Sequence, residues 1–373
     1  MLEFVIPCLL GLESLVGDEI RKLGLSDVRV ENGRVLCRGE ARDIARLNIN
    51  LRCGARVILV LHKFRATDFE SLFQGVRAVH WEDWIPREGE FPVVGYSINS
   101  TLHSVPACQS IVKKAVVDRL SAAYGIAQFP ETGRRYQVRF SIMKDEVTVG
   151  LDTSGEGLYK RGYRAHGVAA PLKETLAAAM VKLSHYNGRD PFCDPFCGSG
   201  TIAIEAALIA RNRAPGLNRS FAAQHWAMVD KRIWLDAADE AMDNEFHDKT
   251  YEIWGGDIDP HAVEIARHNA ELAEVDDTVR FEVDDATRFH WGGQYGRVVT
   301  NPPYGERLLE QKEAEELYRA FGRAVDKLPE TWRVYVLSSH TEFERCFGRI
   351  ADKKRKLYNG MLKCDLFMYG KRV

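Results

Sequence analysis

Apolar and polar positions alternate along this chain in short, sharply punctuated blocks. The first block predicts strand Phe4–Cys8, helix Gly11–Leu23, strands near Val28–Val30 and Arg34–Arg38, and helix Ala41–Leu51. The second predicts strand Val57–Phe64, helix Phe69–Val79, strand Phe91–Ile98, helix Ala107–Tyr124, and a hairpin of Gln137–Met143 with Val147–Asp152 turned near Asp145. Strand stretches follow a period of two; helical ones repeat apolar residues three and four apart. Ser154-Gly155-Glu156-Gly157, with two glycines among polar neighbours, is the best linker in the chain.

Beyond that linker, strands alternate with helices as in an open parallel sheet. Pro171 starts a helix whose core face is Leu172, Leu176, Met180 and Leu183. Strand Arg189–Cys193, helix Ile202–Arg213 and a long insertion, Ala214–Glu245, come next. Strand Tyr251–Gly255, helix Ala262–Leu272, strands Val279–Val283 and Arg297–Thr300, helix Ala314–Leu328, strand Arg333–Leu337 and the pair Ile350–Leu357 and Met361–Met368 complete a seven-stranded pattern.

Two runs carry the chemistry. Asp194-Pro195-Phe196-Cys197-Gly198-Ser199-Gly200-Thr201 falls where a strand turns into a helix, and glycine there lets a ligand approach the backbone. A nucleoside triphosphate would require a lysine after Gly200, and none follows. Gly198 to Ala203 satisfies the dinucleotide pattern G-x-G-x-x-[GA], but no strand ending in an acid follows until Asp257. S-adenosylmethionine fits four features in order. Asp194 suits the ligand's ammonium, Asp257 at a strand's end suits the ribose hydroxyls, Asp284-Asp285-Ala286 suits the adenine amine, and Asn301-Pro302-Pro303-Tyr304 ends the fourth strand. Asp285 is favoured over Asp284 for adenine, and Asp259 is expected to cap the next helix.

Composition narrows the picture further. A hydrophobic content of 45% supports packed cores. No apolar run approaches the roughly 18 residues that span a bilayer, and Met-Leu-Glu-Phe lacks the basic start of a signal peptide, so a cytoplasmic protein is expected. The eight cysteines include no C-x-x-C pair, which indicates neither a zinc site nor a disulfide framework. Nor is there the cysteine run of an iron–sulfur cluster, so methyl transfer is polar rather than radical. A net charge of −2 conceals local basic clusters: Arg42, Arg46, Arg52, Arg56, Lys63 and Arg65; Lys113, Lys114 and Arg119; Lys160, Arg161 and Arg164; and Lys353 to Lys356. The third cluster is either a phosphate contact or a structural hinge, and each of the others also suits a solvated face.

Residues 165–373 resemble a class I methyltransferase of the N-P-P-Y, amino-methylating kind. Tyr159 to Arg164, Ala170 to Thr175 and the insertion at Ala214–Glu245 are similar to the THUMP-domain family of ribosomal RNA guanine-N2 methyltransferases. The resemblance implies an α/β architecture: a Rossmann-like class I methyltransferase with a seven-stranded mixed sheet, preceded by α+β ferredoxin-like and THUMP domains. The expected domains are residues 1–55 (ferredoxin-like), 56–155 (THUMP, RNA-binding) and 156–373 (methyltransferase). It further implies S-adenosylmethionine as cofactor and RNA as partner; no metal and no membrane are expected, and the oligomeric state is left open with a monomer favoured. Phe196, Gly198, Gly200, Thr201, Ile258 and Ala286 are carried over with Asp194, Asp257, Asp285 and Asn301 as cofactor-binding positions.

The chemistry explains the second run. A sulfonium methyl needs no activation, so catalysis is mainly placement of the nucleophile. An exocyclic amine shares its lone pair with the ring, and two acceptors gripping its N–H groups make the nitrogen more tetrahedral and more nucleophilic. The Asn301 side-chain oxygen and the Pro302 carbonyl are expected to be those acceptors. Pro302 and Pro303 fix the backbone, Tyr304 offers a face for an unstacked base, and Glu306 and Arg307 are expected either to line the base pocket or to form a surface salt bridge. The resemblance, rather than any of these residues, implies guanine N2 of large-subunit ribosomal RNA as the target. Transfer RNA, an adenine N6 and a protein glutamine amide are the alternatives within the class, and an NAD-dependent dehydrogenase or a non-catalytic RNA-binding protein those outside it.

Overall fold

The computed structural model describes residues 1–164, 172–304 and 311–370. The chain divides into two compact units. The first takes Met1–Cys8, Val16–Leu158 and Ser220–Glu240; the second takes Leu9–Leu15, Tyr159–Arg219 and Ala241–Val373.

In the first unit, β1 (Leu2–Pro7), α1 (Glu13–Lys22), β2 (Ser26–Glu31), β3 (Arg34–Gly39) and α2 (Asp43–Asn50) precede β4 (Ile58–Arg65), α3 (Phe69–Arg77), β5 (Val93–Ile98), α4 (Val105–Tyr124), β6 (Val138–Met143) and β7 (Glu146–Asp152). All seven strands form one sheet in the order β2-β3-β1-β4-β7-β6-β5. The seam is the antiparallel pair β1 and β4, from Glu3↔Val60 to Val5↔Ile58. The boundary expected near residue 55 therefore lies between two hydrogen-bonded strands. Phe4, Ile6, Val35, Cys37 and Leu59 are fully or almost fully buried.

Part of the long insertion belongs to this unit. Trp226 is 1% exposed; its ring stacks on Tyr136 with centroids 5.0 Å apart, and its Nε1–H donates to the Arg135 carbonyl at 3.0 Å. A buried indole needs both a flat apolar surface and an acceptor, and residues 135–136 supply both. The N–H groups of Ala222 and Ala223 also donate to the Ser154 and Thr153 carbonyls, at 3.3 and 3.0 Å.

The second unit contains α5 (Glu174–Leu183), β8 (Phe192–Asp194) and α6 (Thr201–Ala210); after α7 (Arg232–Asp243) come β9 (Ile253–Asp257), α8 (Pro260–Leu272), β10 (Val279–Val283) and β11 (Arg297–Thr300). Next are α9 (Gln311–Val325), β12 (Arg333–Ser338), α10 (Phe343–Phe347), β13 (Lys353–Asn359) and β14 (Leu362–Tyr369). The sheet order is β10-β9-β8-β11-β12-β14-β13. Strands β8 to β12 run parallel, and β14 pairs antiparallel with β12. The order reverses between β8 and β11, so the crevice at their carboxyl ends is the place where such sheets bind ligands. Among the described residues no helix is long and apolar enough to cross a membrane, and no cluster of side chains could hold a metal. Pro171, expected to start α5, lies outside the described residues; α5 is entered from Lys173.

Candidate active site

Strand β8 ends at Asp194 and α6 begins at Thr201, so the whole glycine run is the connecting turn. Its two key glycines serve different ends. Gly198 has φ +51, and a Cβ there would meet nothing within 4 Å. Gly200 has φ +83, and a Cβ there would lie 2.8 Å from the Phe281 ring and 3.0 Å from Ala266. One glycine keeps space open above the turn; the other lets α6 pack on the sheet. Phe196 is half-buried, edge-on to Phe321 with centroids 5.0 Å apart.

Asp194 is only 1% exposed. Its Oδ1 accepts the Thr300 hydroxyl at 2.5 Å and the Phe196 N–H at 3.3 Å. Its Oδ2 is buried and has no hydrogen-bond partner among the described residues. Burial pushes the carboxyl up from 3.8 to about 7, against the Thr300 hydrogen bond, which pulls it down. An unpaired buried carboxylate oxygen is costly, and a cationic ligand group beside it would relieve that cost.

Asp257 ends β9 and turns back onto the glycine run: its Oδ2 accepts the Gly198 N–H at 2.9 Å and its Oδ1 the Asp259 N–H at 3.0 Å. Asp259 caps α8 through the His261 N–H at 2.9 Å, as expected. Ile258, the residue after Asp257, is 71% exposed. Asp285 uses Oδ1 to cap a short 3-10 turn, accepting the Thr287 N–H at 2.9 Å and its hydroxyl at 2.7 Å. Asp284 accepts the Asp285 N–H at 2.9 Å, and Ala286 is buried in the core beside Phe289.

Two supports of the turn escaped the sequence reading. Asn269 of α8, 1% exposed, donates its Nδ2–H to the Ser199 carbonyl at 2.9 Å. No motif marks it, since it sits within an ordinary amphipathic helix. Arg164 donates to the Thr201 hydroxyl at 2.9 Å and faces Glu174 at 3.1 Å. Arg161 is 3% exposed and paired with Glu205 at 3.2 Å. Of the two readings of this basic run, a phosphate contact is therefore corrected for Arg161 and Arg164: both are spent inside the fold, because a buried guanidinium requires a carboxylate.

At the end of β11, Thr300 and Pro302 are buried, whereas Asn301, Pro303 and Tyr304 are half-buried. The Tyr304 hydroxyl donates to Asn301 Oδ1 and lies 3.8 Å from Cys364 Sγ on β14. Tyr318 of α9, fully buried, donates its hydroxyl to the Pro303 carbonyl at 2.5 Å. Its ring stands edge-on to Phe343, centroids 5.0 Å apart. Tyr318 is another support of a candidate turn that only the structure reveals. Glu306 and Arg307 lie outside the described residues.

The groups around the turn fit S-adenosylmethionine: an orphaned acid for an ammonium, open space above Gly198, an acid at the end of β9, and an exposed isoleucine beside it. Fold and site define a class I, S-adenosylmethionine-dependent methyltransferase. The chain belongs to the family of RMKL-like methyltransferases, whose methyltransferase-domain model matches residues 161–367. An RlmL ferredoxin-like domain matches residues 3–58 and a THUMP domain residues 66–152. It is 45% identical over 366 residues, 98% of this chain and 94% of the relative, to "Putative RNA methyltransferase YpsC" of Bacillus subtilis (strain 168). A solved structure described as "SMU.472, a putative methyltransferase complexed with SAH" is 43% identical with a TM-score of 0.91, covering 100% of this chain and 99% of that one. A structure from Listeria monocytogenes str. 4b F2365, titled a "predicted N6-adenine-specific DNA methylase", is 47% identical with a TM-score of 0.92, covering 99% and 96%.

Proposed function

We propose that this chain methylates the exocyclic N2 of a guanine in RNA, with large-subunit ribosomal RNA as substrate. The observation that carries this reading is the Thr300–Asp194 hydrogen bond. It ties the last residue of β11 to the last residue of β8, and so couples an amine-gripping turn to the cofactor turn. RNA is favoured by the THUMP domain and by the relative named as an RNA methyltransferase. Guanine N2 and the ribosomal target rest on the family resemblance.

When bound, S-adenosylmethionine supplies an electrophilic sulfonium methyl. This chain's residues do the rest. Asp194 Oδ2 takes the cofactor ammonium, Gly198 leaves room for the methionine part, Asp257 accepts from the ribose hydroxyls, and Ile258 packs on the adenine. Phe196 and Thr201 shape the turn, Gly200 lets it pack, and Ala286 with Asp285 Oδ2 borders the adenine edge. Asn301 Oδ1 and the Pro302 carbonyl accept the two N–H groups of the target amine and orient its lone pair. Pro303, anchored by Tyr318, keeps that carbonyl pair in place, and the Tyr304 ring receives the unstacked base, a contact of about 1 to 3 kcal/mol. The amine loses its proton to solvent after transfer, so no dedicated base is required.

The test is nucleoside mass spectrometry of RNA from cells lacking the protein, incubated with pure enzyme and labelled S-adenosylmethionine. Label in N2-methylguanosine of large-subunit RNA, lost with Asn301→Ala, is the expected result. Label in transfer RNA would move the substrate. The similar Listeria structure, described as an N6-adenine-specific DNA methylase, favours a second reading, transfer to adenine N6 in DNA, and label in N6-methyladenine would replace guanine with it.

A further inference from the structure

Four basic clusters stand out in the sequence, and the fold consumes most of three. Arg46 pairs with Asp43 and Glu240, Arg56 with the fully buried Asp152, Arg119 with Glu82, and Arg161 with Glu205. Lys113 pairs with Glu131. The fourth cluster is different. On β13, Lys354 meets Glu344 at 2.8 Å, but Lys353 and Lys356 are exposed and have no ion-pair partner among the described residues. On β14, Lys363 shares both properties. Its register partner is Tyr358, while Lys356 stands opposite Asp365. Alternation therefore puts Lys356, Tyr358 and Lys363 on one face of the hairpin.

The turn that joins these strands is two residues long. Asn359 pairs with Leu362, and Gly360 takes φ +65, the conformation a glycine-first hairpin turn requires. Met361 follows at the apex and is 99% exposed. Such a turn gains nothing from a large apolar residue there. β13 runs in the same direction as the parallel strands, so its end and the apex lie at the carboxyl edge of the sheet. By the same alternation Cys364, register partner of Leu357, belongs to the opposite face, and its Sγ is 3.8 Å from the Tyr304 hydroxyl, so the hairpin's other face meets the Asn-Pro-Pro-Tyr turn.

We propose that the β13–β14 hairpin is an RNA-engaging wedge, in which Lys356 and Lys363, on the face away from Tyr304, bind phosphates of the flanking RNA and Met361 at the apex packs against the base left unstacked when the target swings onto Tyr304. This rests on the reading of the site as an RNA methyltransferase. The hairpin's charge matches a phosphate backbone, and methionine is among the apolar side chains that proteins insert at disrupted base steps.

The experiment uses the full chain and the RNA that accepts label in the nucleoside assay, with SAH affinity measured calorimetrically on every variant as the folding control. Lys356→Ala with Lys363→Ala is expected to raise KM for RNA about 10-fold and to lower the slope of log kcat/KM against log salt by about 1.4, the value for two contacts to a single strand. Met361→Ala is expected to lower kcat/KM about 10-fold, the size of one lost base contact, with the salt slope unchanged. SAH affinity stays at the wild-type value in each. Wild-type transfer to RNA with all hairpin variants within about twofold of it would overturn the wedge alone. A wild-type enzyme that labels a protein amide and no RNA would overturn both the wedge and the reading beneath it.

Discussion

The turns that end β8 and β11 are neighbours on one sheet edge, yet they are held by opposite means. The glycine turn is supported from outside by polar groups: Asp257 takes the Gly198 N–H, Asn269 holds the Ser199 carbonyl, and Arg164 holds the Thr201 hydroxyl. One buried oxygen, Asp194 Oδ2, has no hydrogen-bond partner among the described residues. The Asn-Pro-Pro-Tyr turn is stiffened from within by two prolines and an internal Tyr304–Asn301 bond, and one phenol, Tyr318, pins it to an aromatic core. A turn that must accept a whole cofactor keeps backbone and space available. On the proposed function, a turn that orients a single nitrogen removes its own freedom instead.

That contrast can be broken experimentally. Asn301→Ala is expected to cost about 10²- to 10³-fold in methyl transfer, the range for a lost polar contact to a reacting group, with SAH affinity nearly unchanged; a parallel loss of SAH binding would erase the distinction between the turns. Gly198→Ala should do the reverse, weakening SAH binding about 100-fold by filling the ligand's space while costing only about 1 to 2 kcal/mol of stability for the left-handed backbone. Gly200→Ala should instead show up chiefly as a lower Tm, since its Cβ meets Phe281 and Ala266.

Asp194→Asn should weaken SAH binding about 10-fold, as expected for a lost charged hydrogen bond, and change the pH response. The folded carboxyl sits near 7 against 3.8 unperturbed, so the folded state holds a proton that the unfolded chain releases. Stability of the cofactor-free protein is therefore expected to be fullest below about pH 4 as far as this group is concerned, and to fall by about 1.4 kcal/mol per pH unit until about pH 7. Denaturant titrations across that window should show the slope in the wild type and its absence in Asp194→Asn. Smallest of the set, Tyr318→Phe is expected to lower kcat about 5-fold, the worth of one neutral hydrogen bond, with KM and SAH affinity unchanged. Equal losses in kcat and SAH affinity would mean that Tyr318 supports the sheet rather than the turn.

The sequence by itself determined both turns, the aspartates at the carboxyl ends of β8, β9 and β10, and the seven-strand pattern, because glycine, proline and strand-end acids act through local backbone geometry that a linear reading can follow. Asp259 as a helix cap was legible for the same reason. Tertiary structure alone decided the rest. Asn269, Arg164 and Tyr318 lie far along the chain from the atoms they hold, in helices and loops whose local pattern only demands amphipathicity or charge. The single sheet shared by β1 and β4, and the place of Trp226 against Tyr136, depend on which apolar faces find one another. Which cations remain available for RNA was likewise undecidable from composition, since a guanidinium or ammonium is exposed or spent according to whether folding brings a carboxylate within reach.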